Sequence, residues 1–173
     1  MKHLLKLGGM TPEEILHILD VADEYKRLHK DGVDPKDLQG KAVALVFAKN
    51  STRTRTSFEL GAFQLGGHAV VLSPGKDAWP IEFDLGTVMD GDTEEHIAEV
   101  ARVLGRYVDL IGVRAFPKFK DWANDRQDKV LKAFARYSPV PVINMETITH
   151  PCQELAHALA LQEHFGTSDL RGK

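Results

Sequence analysis

The first regular pattern along the chain is helical. Thr11-Pro12-Glu13-Glu14 supplies an N-cap, a proline at the first helical position and a glutamate placed to close a capping box, and Ile15, Ile18, Ala22 and Tyr25 then recur on one face. The spacing predicts a helix to about His29 that stops before Asp31-Gly32, with a polar connection after it. Ala42 to Phe47 is a continuous apolar run and predicts a buried strand, while Phe58, Ala62 and Leu65 return to helical spacing. Gly66-Gly67 break that helix, and His68 to Ser73 reads as a second buried strand. Pro74 to Met89 has no periodicity and predicts a long loop carrying Asp77-Ala78-Trp79-Pro80; a loop of this length is more often functional than idle. Asp92-Thr93-Glu94-Glu95 predicts the start of a helix whose Ile97, Val100, Ala101 and Leu104 face inward and which ends near Tyr107. Leu110 to Val113 predicts a third strand, residues 121–137 one further helix, Val140 to Met145 a fourth strand, and the chain from His150 a last helix ending at Phe165-Gly166.

Strand and helix thus alternate four times. That alternation predicts an α/β fold: a four-stranded parallel sheet with helices on both faces, in three layers. Right-handed crossovers bring all the strand C-termini to one edge, and ligands of such sheets bind outside that edge. The stretch Ser51 to Glu59 follows strand one, the Trp79 loop strand two, Arg114 strand three, and Glu146 with the His150 turn strand four. All four fall on the ligand edge.

Composition narrows the classes. The 173 residues are 43% hydrophobic and 27% charged, enough for the core of one domain. A formal net charge of −3 argues against a broad nucleic-acid surface. No apolar run reaches membrane-spanning length, and the segment Met1 to Met10 is too short and too broken by Gly8 and Gly9 for a signal peptide. The single cysteine, Cys152, excludes an internal disulfide and a cysteine-based zinc cluster, and the eight histidines lack metal-ligand spacing. A cytoplasmic location and no metal are the resulting expectations.

The chemistry concentrates in Ser51-Thr52-Arg53-Thr54-Arg55-Thr56-Ser57-Phe58-Glu59. At a strand-to-helix turn the first helical N–H groups lack intrahelical partners and the helix dipole adds positive charge, so backbone, hydroxyls and guanidinium can hold one phosphate together. One hydroxyl would be a cap; several hydroxyls with two arginines exceed what capping needs. Arg114 is either a surface arginine or a second contact to the anion or to a carbonyl beside it. His150 is either a polar turn residue or, with Gln153 three residues on, half of a donor and amide pair on one helix face that would suit a carbonyl and an NH2 group. Together these residues describe a small ligand with phosphate at one end and an amide-like group at the other. A nucleotide-binding domain is disfavoured, because no G-x-G-x-x-G follows strand one and no P-loop is present.

Asp37-Leu38-Gln39-Gly40-Lys41 leads into strand one, and Asp169-Leu170-Arg171-Gly172-Lys173 resembles the same lead-in, or coincides with it by chance. The Ser51 to Glu59 motif, with Arg114 and His150-Pro151-Cys152-Gln153, resembles the carbamoyl-phosphate domain of the aspartate/ornithine carbamoyltransferase superfamily. Gly75 to Pro80, Val88 to Asp92 and Asn144 to Thr149 are similar to its N-acetylornithine branch, with the N-succinylornithine and ornithine enzymes as alternatives. The resemblance implies that residues 1–166 are the carbamoyl-phosphate half of an enzyme of arginine biosynthesis, that 167–173 lead toward an absent amino-acid-binding domain, and that turnover by the chain alone is weak or nil. It implies phosphate binding by Ser51, Thr52, Arg53 and Thr54, and carbonyl polarisation by Thr54, Arg114 and His150, which would be the catalytic groups. Gln153 would take the carbamoyl NH2, Glu146 and Glu94 would lie near the acylated ornithine, and Arg55 would be a structural brace held by an acidic neighbour. Trp79 would reach the site of a neighbouring subunit in a homotrimer. No cofactor is implied. The second reading is a non-catalytic module that binds phosphate or carbamoyl phosphate.

Overall fold

The structure, a computed structural model, describes residues 3–117, 119–170 and 172. Helix α1 (Pro12–Lys30) begins with the capping box read from sequence: the Thr11 side chain accepts from the Glu14 N–H and the Glu14 side chain from the Thr11 N–H. Strand β1 (Ala42–Phe47), helix α2 (Thr52–Gln64) and strand β2 (His68–Leu72) follow, each within a residue or two of its expected bounds. After two short strands, β3 (Ile81–Glu82) and β4 (Glu95–His96), come helix α3 (Ile97–Tyr107) and strand β5 (Leu110–Arg114). Helices α4 (Trp122–Asp125) and α5 (Lys129–Tyr137), strand β6 (Val142–Glu146) and helix α6 (Pro151–Phe165) complete the order.

β2, β1, β5 and β6 lie side by side in that order as one parallel sheet. Alternate residues of the strands feed two cores. Ala44, Val46, Ile111, Val113 and Val142 pack with Ile97, Val100 and Ala101 of α3 and Leu131 and Phe134 of α5. Val43, Leu45, Phe47 and Met145 face the other way, toward Phe58 of α2. α6 packs on β6, and α1 lies against α6. The expected α/β sheet with helices on both faces is what forms.

Three expectations fail. The second strand is not buried: β2 is the edge strand of the sheet, and Val70 in it is 40% exposed. The helix expected from Asp92 starts only at Ile97, because Glu95 and His96 pair in parallel with Ile81 and Glu82, and His96 Nδ1 then caps the Ala98 N–H. Tertiary pairing overrides the acidic cap signature. The helix expected over 121–137 is two helices, separated where Asp128 takes a left-handed conformation (φ 49°). The first is capped by the Asp121 carboxylate, which accepts from the Ala123 and Asn124 N–H groups.

The N-terminal segment extends the sheet. Leu4 bridges to Ile143 in parallel, its N–H bonds the Val142 carbonyl at 2.9 Å, and the Asn144 N–H returns to the Leu4 carbonyl at 2.8 Å. The edge of β6 is thereby covered. Of the C-terminal lead-in, Arg171 and Lys173 lie outside the described residues.

Close approach fixes Gly105 on α3. A Cβ built there would lie 2.4 Å from Pro139 Cδ. Gly105→Ala gains about 1 kcal/mol of helix propensity against roughly 1–3 kcal/mol of overpacking. The expected result is a lower midpoint in urea with an unchanged slope; a raised midpoint would show that Pro139 yields freely.

Candidate functional site

Because the chain passes from β1 outward to β2 and then crosses back to β5, the order reverses between β1 and β5. The crevice at such a reversal is the expected ligand position. Ser51, Arg53 and Thr54 approach it from the start of α2, Arg114 from the end of β5, and Glu146, His150 and Gln153 from β6 and the start of α6. With Ser57, Phe58, Phe116 and Cys152 they line one open cleft of about 760 Å³. A more apolar groove of about 650 Å³ runs beside α2 toward the opposite ends of the strands, lined by Val43, Phe58, Ala62, Leu65, Leu110 and Ile143. It carries none of Ser51, Arg53, Thr54, Arg114 and His150, and the more polar cleft is the better candidate for an anion.

Ser51 is the N-cap of α2: its Oγ accepts from the Thr54 N–H at 3.2 Å and lies 3.1 Å from Thr54 Oγ1. The N–H groups of Thr52 and Arg53 have, by position, no intrahelical acceptor. Backbone donors, two hydroxyls and the Arg53 guanidinium therefore converge on the cleft. Thr52 does not line this cleft but an adjoining cavity of about 370 Å³, together with Asn50, Ser51, Arg55, Thr56 and Ser73. Arg55 Nε lies 3.4 Å from Glu59 Oε2 one helical turn on, so it has the acidic neighbour expected of a brace.

Arg114 is 7% exposed and almost fully engaged. Nε and Nη2 donate to Glu146 Oε2 at 3.2 and 2.8 Å, and Nη1 donates to the carbonyls of Lys49 and Asn50 at 2.7 and 2.8 Å. The Phe116 ring lies 4.4 Å from the guanidinium carbon, and Phe119 meets that ring edge-on. A bulge makes the Glu146 contact possible. Val113 pairs with Asn144 and Arg114 with Glu146, so Met145 is the extra residue; in an unbroken register Arg114 would stand opposite Met145.

His150 begins α6, its Nε2 3.8 Å from Glu146 Oε2 and its Nδ1 buried with no hydrogen bond among the described residues. The Gln153 amide sits 2.9 Å from His157 Nε2 on the next turn. The turn carrying His150 is pinned from below: the buried Asn144 amide donates to the Leu5 carbonyl at 2.9 Å and to Thr147 Oγ1 at 3.0 Å, and the Thr147 hydroxyl donates to Asp128 at 2.6 Å. Burial raises the Asp128 carboxyl above its ordinary range.

Trp79 and Glu94 do not line the cleft. Trp79 is 64% exposed and lines a separate small cavity with Val46, Leu72 and Val100. Sequence reasoning did not assign Phe116, Asn144, Thr147 or Asp128. The available signals were an aromatic two residues past the strand-end arginine and an asparagine inside an otherwise apolar strand.

The chain belongs to the aspartate/ornithine carbamoyltransferase family, whose carbamoyl-phosphate-binding domain model matches residues 2–163. Among its relatives, the N-acetylornithine carbamoyltransferase of Xanthomonas axonopodis pv. citri (strain 306) is 75% identical over all 173 residues, which make up 49% of that protein. The N-acetylornithine carbamoyltransferase of Xylella fastidiosa (strain Temecula1) is 69% identical over the same span, 50% of its length. A crystal structure of acetylornithine transcarbamylase complexed with acetylcitrulline superposes on the whole chain with a TM-score of 0.95 at 73% identity, again over 51% of that chain. The chain spans about half the length of the relatives it matches. No helix of the described residues is long and apolar enough to cross a membrane.

Cys152 lines the cleft yet is a poor nucleophile. Burial pushes its thiol up to about 11, and Sγ lies 3.6 Å from the Asn144 carbonyl. A raised value keeps the thiol protonated at neutral pH, where only thiolate reacts. Iodoacetamide modification of the folded chain is therefore slow below about pH 9 and rises toward a midpoint near 11; a midpoint at the ordinary free-thiol value of about 8.5 would contradict the burial.

Proposed function

We propose that this chain is the carbamoyl-phosphate-binding half of an enzyme that transfers the carbamoyl group to the δ-amine of N-acetyl-L-ornithine in arginine biosynthesis. The observation that carries it is the convergence of the α2 N-terminus and Arg53 with Arg114, His150 and Gln153 on one cleft, at the crevice of the sheet. The shared names and high identity of the N-acetylornithine relatives support the choice of acceptor over its succinyl and free-ornithine counterparts.

In this reading the Thr52 and Arg53 N–H groups, Ser51, Thr54 and Arg53 hold the phosphate, with Thr52 contributing through its backbone. Arg114, His150 and Thr54 donate to the carbonyl oxygen and stabilise the charge that grows there as the neutral amine attacks. The new C–N bond forms as the C–O bond to phosphate breaks, the electron pair leaves with the phosphate, and Arg53 and the helix N-terminus accept that charge. The amine proton departs to the phosphate released. Gln153 orients the carbamoyl NH2, and Glu146 borders the acceptor. His150 acts as an electrophilic donor rather than a base. No metal or organic cofactor takes part.

Residues 1–166 form the carbamoyl-phosphate unit in this proposal, and 167–173 lead toward the half that holds the amino acid. Trp79, exposed and turned away from its own cleft, serves the cleft of a neighbour in a homotrimer in the cytoplasm. A non-catalytic phosphate-binding module is the second reading, favoured for the isolated chain by its half length.

Phosphate or carbamoyl phosphate at 100 times its dissociation constant is expected to stabilise the folded chain by about 2.7 kcal/mol, seen as a rise in Tm that Arg53→Ala abolishes. An unchanged Tm at saturating ligand contradicts the site. The purified chain should form no product from N-acetylornithine and carbamoyl phosphate, and robust turnover would overturn the division of labour.

A further inference from the structure

Arg114 has five N–H donors, and four are already committed within the protein. Both hydrogens of Nη1 go to the backbone carbonyls of Lys49 and Asn50, while the Nε hydrogen and one on Nη2 go to a single oxygen of Glu146. Among the described residues, one Nη2 hydrogen is left for a ligand. A phosphate is best gripped by an arginine through two parallel N–H groups. With one donor remaining, Arg114 is suited to one carbonyl oxygen, and phosphate recognition passes to Ser51, Arg53 and Thr54.

We propose that Glu146 is a specificity-determining positioning residue: by occupying two N–H groups of Arg114 it makes the cleft select an acyl phosphate, with a carbonyl beside the phosphate, over free phosphate. This rests on the carbamoyl-phosphate reading of the cleft and adds a discrimination that the reading does not require. Two features of the fold serve it. The extra residue Met145 brings Glu146 level with Arg114, and Phe116 lies 4.4 Å from the guanidinium carbon, limiting its swing. The same Glu146 oxygen, 3.8 Å from His150 Nε2, places the second carbonyl donor beside the first.

Glu146→Gln keeps the shape but replaces an acceptor of two charged N–H bonds with an amide. It loosens the hold on the Nε and Nη2 hydrogens, which become available to phosphate while Nη1 stays on its two carbonyls. The test is calorimetric titration of the wild-type chain, Glu146→Gln and Glu146→Asp with carbamoyl phosphate and, separately, with inorganic phosphate. Wild type should prefer carbamoyl phosphate, and in Glu146→Gln the preference should shrink about tenfold, the worth of one charge-assisted hydrogen bond. That shrinkage should arise mainly from tighter phosphate binding. Glu146→Asp keeps the charge but shortens the reach, so its preference should fall between the two; should Glu146→Gln fail to fold, this variant carries the comparison. A ratio left unchanged, including one where both affinities rise equally through loss of a negative charge, overturns the inference while the binding site stands. Wild type binding neither ligand would overturn the reading of the cleft itself.

Discussion

The site depends on one partly buried ion pair formed across a bulge. Arg114 and Glu146 sit on adjacent strands, and only the extra residue in β6 brings them level. Removing Glu146 leaves the Arg114 guanidinium, itself only 7% exposed, without its anionic partner, at a cost that the partial exposure of Glu146 keeps below the roughly 3–5 kcal/mol of a fully buried pair. The pair persists because its surroundings over-determine it. Two backbone carbonyls from the loop between β1 and α2 take the other face of the guanidinium fork, and an aromatic ring covers its plane. Through those carbonyls Arg114 ties the end of β5 to the loop that launches α2, so the phosphate-binding turn and the carbonyl donors are held by the same side chain.

Stability and chemistry are divided between the two ends of the strands. At one end Lys41 and Asp109 form an exposed ion pair 2.9 Å long, and Asp109 also accepts from the Ala42 N–H, stitching β1 to the start of β5. At the other end the polar groups face a cleft. A solvent-exposed pair contributes about 0–1 kcal/mol, so the sheet is held chiefly by the two apolar cores, and the ligand end is free to spend its polar groups on recognition.

Much of this was legible in the sequence, and for physical reasons. Apolar runs such as Ala42 to Phe47 can only be buried strands in a chain this size, and their alternation with helices determines the parallel order and the ligand edge. The capping box at Thr11 is local, so it survived folding unchanged. What failed was non-local. Nothing in Asp92 to Glu95 announces pairing with Ile81 and Glu82, and nothing in residues 121–137 announces that Asp128 turns left-handed to accept from Thr147. In the site, residue types and their edge were readable, but the bulge was not. The bulge is what lets Glu146 hold Arg114, and, separately, Thr52 lines a neighbouring cavity rather than the cleft. Arg55, which the resemblance alone cast as a brace, has an acidic partner, Glu59, one turn away.

The proposed function requires that three strand ends of each chain supply the groups that bind one carbamoyl phosphate. Stoichiometry tests it most directly. Calorimetric titration with carbamoyl phosphate, read beside the native mass of the assembly, should give one ligand per chain, whatever the oligomer. A heat signal that saturates well below one ligand per chain, or none at millimolar ligand with the protein folded, would contradict it.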